Sequence, residues 1–234
     1  EMQGRFVADA SHEMRTPLAT MRTNLEVLQL DPKATLSDYK EMSVTLTRTL
    51  DRLERLLNDL LLLARGELEV HKVPVNLEAL LTEVVQNLMS FAKENHVIVN
   101  MKVQEGAVVL ADERLLGIAF GNLIDNGIRY NRSGGSVEIT VFGVDNGLTV
   151  QIQDTGEGIP SEELPRIFDR FYRVEKSRTR YRGGAGLGLA ICEHIVKLHG
   201  GHIKASSTVG EGSIFIIWLP SIASTSIDPI LTES

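Results

Sequence analysis

The chain has 234 residues, 43% of them hydrophobic and 24% charged, with a formal net charge of −7. This is the balance of an ordinary globular protein, and its acidity argues against a general nucleic-acid binder. The single cysteine, Cys192, excludes an intrachain disulfide. The longest uninterrupted leucine-rich stretch, Leu60 to Ala64, is far too short to cross a bilayer, and no signal peptide is visible.

In chain order, apolar residues first recur at helical spacing through Phe6, Ala10, Met14, Leu18, Met21, Leu25 and Leu28. Asp31-Pro32 breaks this pattern, and Ser37 or Asp38 is placed to cap a second helix. There Leu46, Leu50, Leu53, Leu57, Leu60 and Ala64 alternate four and three apart, which is a heptad seam. Two such helices form a hairpin, and one hairpin buries only a narrow stripe. Two hairpins packing as a four-helix bundle are therefore expected, which predicts a homodimer. A seam packed on the chain's own second domain is the alternative. The opening on Glu1, within a helical pattern, suggests a fragment of a longer protein.

The sequence predicts four parts: a helical hairpin over residues 1–65, a linker over 66–73, an α+β sandwich over 74–220 and a disordered polar tail over 221–234. Within the sandwich, helices are expected over 77–95, 112–130 and 187–198. Val97–Val103 and Ala107–Leu110 read as a strand pair. Val137–Val141 and Leu148–Ile152 read as a hairpin turning at Asn146-Gly147. Two last strands cover 202–206 and 213–219.

Three glycine clusters fall in the second half: Asp154-Thr155-Gly156-Glu157-Gly158, Gly183-Gly184-Ala185-Gly186-Leu187-Gly188 and Gly210-Glu211-Gly212. Glycine lets backbone N–H groups approach an anion, and the second cluster opens a helix whose dipole favours phosphate. No lysine follows its last glycine, so it is not a Walker A loop. Asp154 ends a strand, where its carboxylate can accept from an adenine amino group or simply cap a turn. Asn122 and Asn126, one helical turn apart, are oxygen ligands suited to Mg²⁺ or plain polar surface. Arg173, Lys176, Arg178, Arg180 and Arg182 form a local reversal of charge, a lid over phosphates or a solvated loop, with Phe168 and Phe171 at its base.

These clusters, in this order, resemble the ATP-binding (GHKL, Bergerat-type) domain shared by histidine kinases, type II topoisomerases, heat-shock chaperones and mismatch-repair ATPases. Asn122 to Tyr130 resembles the N box, Asp154 to Gly158 the first glycine box, Phe168 to Phe171 the F box, and Gly184 to Gly188 the second glycine box. Ser11-His12-Glu13-Met14-Arg15-Thr16-Pro17-Leu18 resembles the H box of the commonest class of sensor histidine kinases of two-component systems. The resemblance spans nearly the whole chain. It implies ATP and Mg²⁺ as cofactors, with nucleotide held by Asn122, Asn126, Arg129, Tyr130, Asp154, Gly156, Gly158, Gly184, Gly186, Leu187 and Gly188. By the same resemblance, Asn126 is expected to be the metal ligand and Asp154 the reader of adenine. Arg129 stands where many members carry lysine.

The resemblance further implies autophosphorylation of His12 and transfer to an aspartate of a response regulator receiver domain. It places the chain as the cytoplasmic core of a bacterial sensor anchored in the inner membrane by a segment before residue 1. The chemistry suits the residues. A neutral imidazole is a competent nucleophile, and Glu13 is placed to orient its other proton and act as base. Thr16 lies about 40° from His12 around the helix; in the family a hydroxyl here aims water at the regulator's phosphoryl group, which implies phosphatase activity. Its alternative is a hydroxyl bonding back to a carbonyl. Pro17 predicts a bend beside His12. Two other readings stay open: a conformational ATPase of the same superfamily, against which Asn122 stands where those hydrolases place a glutamate base, and a docking module without catalysis.

Overall fold

The computed structural model describes residues 2–64, 70–174 and 184–221, with side chains of the first helix described from Ala8 onward. It divides into two compact units, Glu1–Leu68 and Glu69–Ser234.

The first unit is a hairpin of α1 (Met2–Leu30) and α2 (Leu36–Ala64). Helix α2 is capped by Thr35, two residues before Ser37 and three before Asp38. The Thr35 hydroxyl receives the Asp38 N–H at 3.4 Å, and Asp38 in return accepts the Thr35 N–H at 2.8 Å. Asp38 is thus the returning half of a capping box rather than the cap, and these bonds from Thr35 hold its carboxyl below the usual range. Helix α1 runs without a break through Pro17.

The heptad divides between two faces. Leu56, Leu60 and Leu63 are buried, and Leu53 half-buried, beside a face of α1 that includes Met21, Leu25 and Leu28. Leu50 and Leu57, expected in the same seam, stay 57% and 46% exposed, and Ala64 is exposed. At about 100° per residue the residues from Leu50 round to Leu63 span roughly 140° of the helix, so the apolar stripe has a buried part and an exposed part.

The second unit stacks three helices on one face of a five-stranded sheet. Its elements are β1 (Val73–Asn76), α3 (Leu77–Glu94), β2 (Ile98–Val103), β3 (Val108–Ala111), α4 (Glu113–Arg129), β4 (Ser136–Val144), β5 (Gly147–Asp154), a 3₁₀ turn (Leu164–Arg166), α5 (Gly188–Leu198), β6 (His202–Thr208) and β7 (Gly212–Pro220). The sheet order is β2-β4-β5-β7-β6, parallel between β2 and β4 and antiparallel elsewhere.

Two local expectations are corrected. Strands β2 and β3 do not pair: β3 pairs antiparallel with β1, Val73 opposite Ala111, and β2 runs beside β4. The β4–β5 turn is Asp145-Asn146, with φ of 45° and 58° and Val144 opposite Gly147, so the glycine opens the strand instead of sitting in the turn. Both central residues left-handed is the primed turn that matches strand twist. The expected tail lies outside the described residues beyond Ser221, as do linker positions 66–69.

Helix α4 is the centre of the core. Asp112 caps it by accepting the Leu115 N–H at 3.0 Å. Leu115, Leu116, Ala119, Phe120, Leu123, Ile124 and Ile128 are all within 1% of full burial, against Ile139, Ile152 and Ile191 from the sheet and α5. Burying side chains of this size stabilises by about 1.5–3 kcal/mol each. The same burial turns Asn122, Asn126 and Arg129, spaced four and three apart, into one polar stripe along the helix.

Candidate nucleotide site and phosphoacceptor helix

Asp154 closes β5 on the core side of the sheet, opposite Val137, and is 8% exposed. Its Oδ1 accepts the Gly156 N–H at 2.8 Å and the Ser213 N–H at 3.2 Å. Burial pushes the carboxyl above its usual range, opposed by these backbone bonds and the Ser213 hydroxyl. Helix α4 crosses this strand end closely: a Cβ on Gly127 would lie 3.1 Å from Val137 and 3.6 Å from the Asp154 Cβ.

The loop after Asp154 has room only for glycine at two points. A side chain on Gly156 would run into the Tyr130 carbonyl and stand 2.8 Å from Asp154 Oδ1, and Gly158 is left-handed with φ of 71° against Thr208. Tyr130 ends α4, 37% exposed, and its carbonyl accepts the Glu157 N–H at 3.1 Å. The loop entry is fixed by Asn131. Its amide donates to the carbonyls of Gly127 and Ser136, both at 2.9 Å, while its oxygen accepts the Thr155 hydroxyl at 3.2 Å.

Of the second glycine cluster, Gly184 to Gly188 are described, while Gly183 and the basic positions Lys176, Arg178, Arg180 and Arg182 lie outside the described residues. Gly186 is left-handed (φ 74°), and a Cβ there would lie 2.7 Å from the Tyr172 carbonyl oxygen. Leu187 is 1% exposed and precedes α5 without a side-chain cap, so it can serve a ligand only through its backbone. An α5 start with no capping side chain and a glycine turn in front of it suits an anion.

Asn122 belongs to the same corner. A Cβ on Gly188 would lie 3.5 Å from its Cγ, and its Nδ2 is buried without a hydrogen-bond partner. A buried orphan donor costs about 1–3 kcal/mol unless something binds it. A phosphate oxygen at the α5 terminus would satisfy it, and the Asn122 and Asn126 amides offer oxygens of the hard type that Mg²⁺ takes. The donor set therefore fits both groups. Arg129 is engaged within the unit: it pairs with Asp125 at 2.8 Å and sits 5.0 Å over the Phe91 ring.

In the first unit, His12 and Thr16 are exposed on α1 and Glu13 is half-buried. The Thr16 hydroxyl donates to the His12 carbonyl at 3.2 Å, the local back-bond open to any helical threonine. The buried Cys192 thiol donates to the Ala119 carbonyl at 3.2 Å.

Sequence reasoning did not single out Asn131, Thr155, Ser207 and Ser213. Thr155 lies within the first glycine cluster and Asn131 directly follows the Asn122–Tyr130 stretch, while Gly210-x-Gly212 was the signal near Ser207 and Ser213. At Gly212, with φ of 121°, a Cβ would run into the Asp154 carbonyl, so the third cluster packs backbone to backbone on the first.

Residues 111–222 match the family of histidine kinase-, DNA gyrase B- and HSP90-like ATPases, and residues 2–69 match the His Kinase A (phospho-acceptor) domain. The sensor histidine kinase RppB of Synechocystis sp. is 36% identical over 225 residues, covering 94% of this chain and 49% of RppB. The chain thus spans about half the length of that relative. Among solved structures, histidine kinase ThkA in complex with the response regulator TrrA aligns with a TM-score of 0.75 at 25% identity, over 95% of this chain and 63% of its own. Full-length ShkA in complex with AMPPNP aligns with a TM-score of 0.70 at 27% identity, over 93% of this chain and 45% of its own. One match covers the hairpin that presents His12 and the other the domain that holds Asp154, in chain order, and the chain belongs to the sensor histidine kinases of two-component systems.

Proposed function

We propose that this chain is the autokinase core of its protein: it binds Mg-ATP in the second unit and phosphorylates His12. The observation that carries the reading is the solvent-exposed His12 beside Glu13, on a helix whose other side is packed. An exposed imidazole can reach a phosphoryl group, and Glu13 can take or orient the proton on the nitrogen that does not attack.

Asp154 would accept the adenine amino group, Asn122 and the α5 terminus would hold phosphate, and Asn126 would supply an oxygen to Mg²⁺. The bound ion supplies charge neutralisation between phosphates. The glycines at 156, 158, 184, 186 and 188, the Leu187 backbone and Tyr130 would shape the walls. For Arg129 to hold phosphate it must exchange Asp125 for the nucleotide.

The phosphoryl group would pass from His12 to an aspartate of a response regulator, a partner class supported by the ThkA–TrrA complex. Thr16, once its hydroxyl leaves the His12 carbonyl, could direct water for the reverse dephosphorylation. The exposed stripe on α2 supports a homodimer. We place the core at the cytoplasmic side of a membrane-anchored sensor; no described helix is long and apolar enough to cross a membrane, so anchoring would belong to the rest of the protein.

The test is phosphate incorporation from γ-labelled ATP, scored for acid lability and base stability in the parent chain and in His12→Gln. Label on the parent alone establishes the phosphohistidine. Label on neither, with ATP bound and phosphate released, would favour the conformational ATPase.

A further inference from the structure

We infer that Ser207 is a positioning residue for adenine recognition, holding Asp154 in place from across the β6–β7 hairpin. This rests on the nucleotide reading of the Asp154 site. Asp154 is held by two N–H groups. One, from Gly156, belongs to its own loop; the other, from Ser213, comes from the far side of the β6–β7 turn. The second support is only as good as the registration between that turn and the glycine loop.

Backbone N–H groups donate across between the two segments at three points. The Gly210 N–H donates to the Glu157 carbonyl at 2.8 Å, the Ser213 N–H to Asp154 at 3.2 Å, and the Ile159 N–H to the Ser207 hydroxyl oxygen at 2.7 Å. Elsewhere along this seam the segments meet backbone to backbone, at Gly158 against Thr208 and Gly212 against Asp154. Bare backbone surfaces have no side chains to interlock, so hydrogen bonds set their register.

The Ser207 side chain reaches both sides. Besides receiving Ile159, its hydroxyl donates to the Gly212 carbonyl at 2.7 Å and stands 3.0 Å from the Ser213 hydroxyl, its register partner in the ladder. It therefore ties the exit of the glycine loop to the two residues that support Asp154. Removing the hydroxyl leaves the half-buried Ile159 N–H unpaired and frees Gly212-Ser213 to draw back. The carboxylate then loses its outer donor and its aim. Ser207 itself is not placed to touch the nucleotide.

Inosine triphosphate lacks the exocyclic amino group that Asp154 would accept, so the ratio of ATP to inosine triphosphate affinity reads the carboxylate's aim. Equilibrium titrations with Mg²⁺ would compare the parent chain, Ser207→Ala and Ser207→Thr. The parent should prefer ATP. In Ser207→Ala the preference should shrink about tenfold, the scale of one lost hydrogen bond to a buried polar group, with inosine triphosphate affinity nearly unchanged. Ser207→Thr, which keeps a hydroxyl, should restore the ratio. Equal weakening toward both nucleotides would reveal a merely structural role and overturn the inference, as would an unchanged ratio in Ser207→Ala. If Ser207→Ala does not fold, Ser207→Cys, a far weaker hydrogen-bonding group, is read in the same way, and an unchanged ratio there also overturns it. A parent that binds both nucleotides equally, or neither, overturns the adenine reading of Asp154 itself, an outcome distinct from a selective parent with an equally selective variant.

Discussion

The Nε2 of His199 accepts the backbone N–H of Asp112 at 2.9 Å, which ties the end of α5 to the cap of α4. The other nitrogen, Nδ1, donates to the Ile195 carbonyl at 2.8 Å, so the tautomer is fixed and Nε2 carries no proton. The ring is 2% exposed. Burial pushes its pKa down, with Lys72 adding to the fall while the Ile195 bond and Asp112 oppose it. Protonation would break the Asp112 bond and bring two donors together. The unfolded chain binds the proton near 6.5, while the fold resists it. The contribution of His199 is thus complete above that pH and declines as pH falls through it. Urea unfolding at about pH 7.5 and about 5.5 should show a larger loss for the parent than for His199→Gln, which cannot titrate. Equal losses would mean that His199 is not the group responsible.

Asn122 gives a second expectation, that of a site held at the expense of stability. Its buried Nδ2 lacks a partner, a condition worth about 1–3 kcal/mol against the fold. Asn122→Leu, branched at the same atom, should raise the melting temperature of the nucleotide-free chain while sharply weakening ATP binding. Added Mg-ATP should then stabilise the parent and not the variant. A lower melting temperature without nucleotide would show that the side chain packs too tightly against Gly188 for leucine.

These two sites differ in how far the sequence announced them. Asn122, Asp154 and the glycines stand in short motifs because backbone closeness to a ligand restricts which residue types are possible. Ser207 and Asn131 are ordinary polar residues whose work depends on partners such as Ile159 and Gly127, brought near only by the fold. The same contrast runs through the architecture. Helices α3, α4 and α5 were legible from spacing, since their pattern is local. The pairing of β3 with β1 was not, because a short strand carrying Pro74 gives little alternation and its partner lies across the whole of α3. The Leu50 and Leu57 seam was seen as one stripe because spacing reveals that a residue is apolar but not which of two neighbours it faces.

His96 is a third case, of unused stability. It follows α3 with φ of 55°, in a turn where the Val97 N–H bonds the Ala92 carbonyl at 2.9 Å and the His96 N–H bonds the Lys93 carbonyl at 3.1 Å. This is the paired stop at which glycine is the usual left-handed residue. The His96 side chain is exposed. His96→Gly should therefore relieve backbone strain, offset in part by a freer unfolded chain, for a net gain of about 0.5–1 kcal/mol. Chemical denaturation measures it directly; a loss would mean that the His96 ring makes a contact that outweighs the strain.

The dimer can be tested on α2 without touching the nucleotide unit. Tyr39, Leu50, Leu57 and Leu61 fall eleven, seven and four residues apart, close to whole turns, and are 49%, 57%, 46% and 46% exposed. Such a stripe on a helix whose adjacent face is already buried suits a second hairpin. The double variant Leu50→Glu/Leu57→Glu would set like charges against each other across that interface, while each glutamate stays solvated in the lone hairpin. Sedimentation should give a dimer for the parent and a monomer for the variant, with ATP affinity unchanged, since the nucleotide residues belong to the other compact unit. A monomeric parent at tens of micromolar, or a variant that still dimerises, would assign this stripe to a different partner.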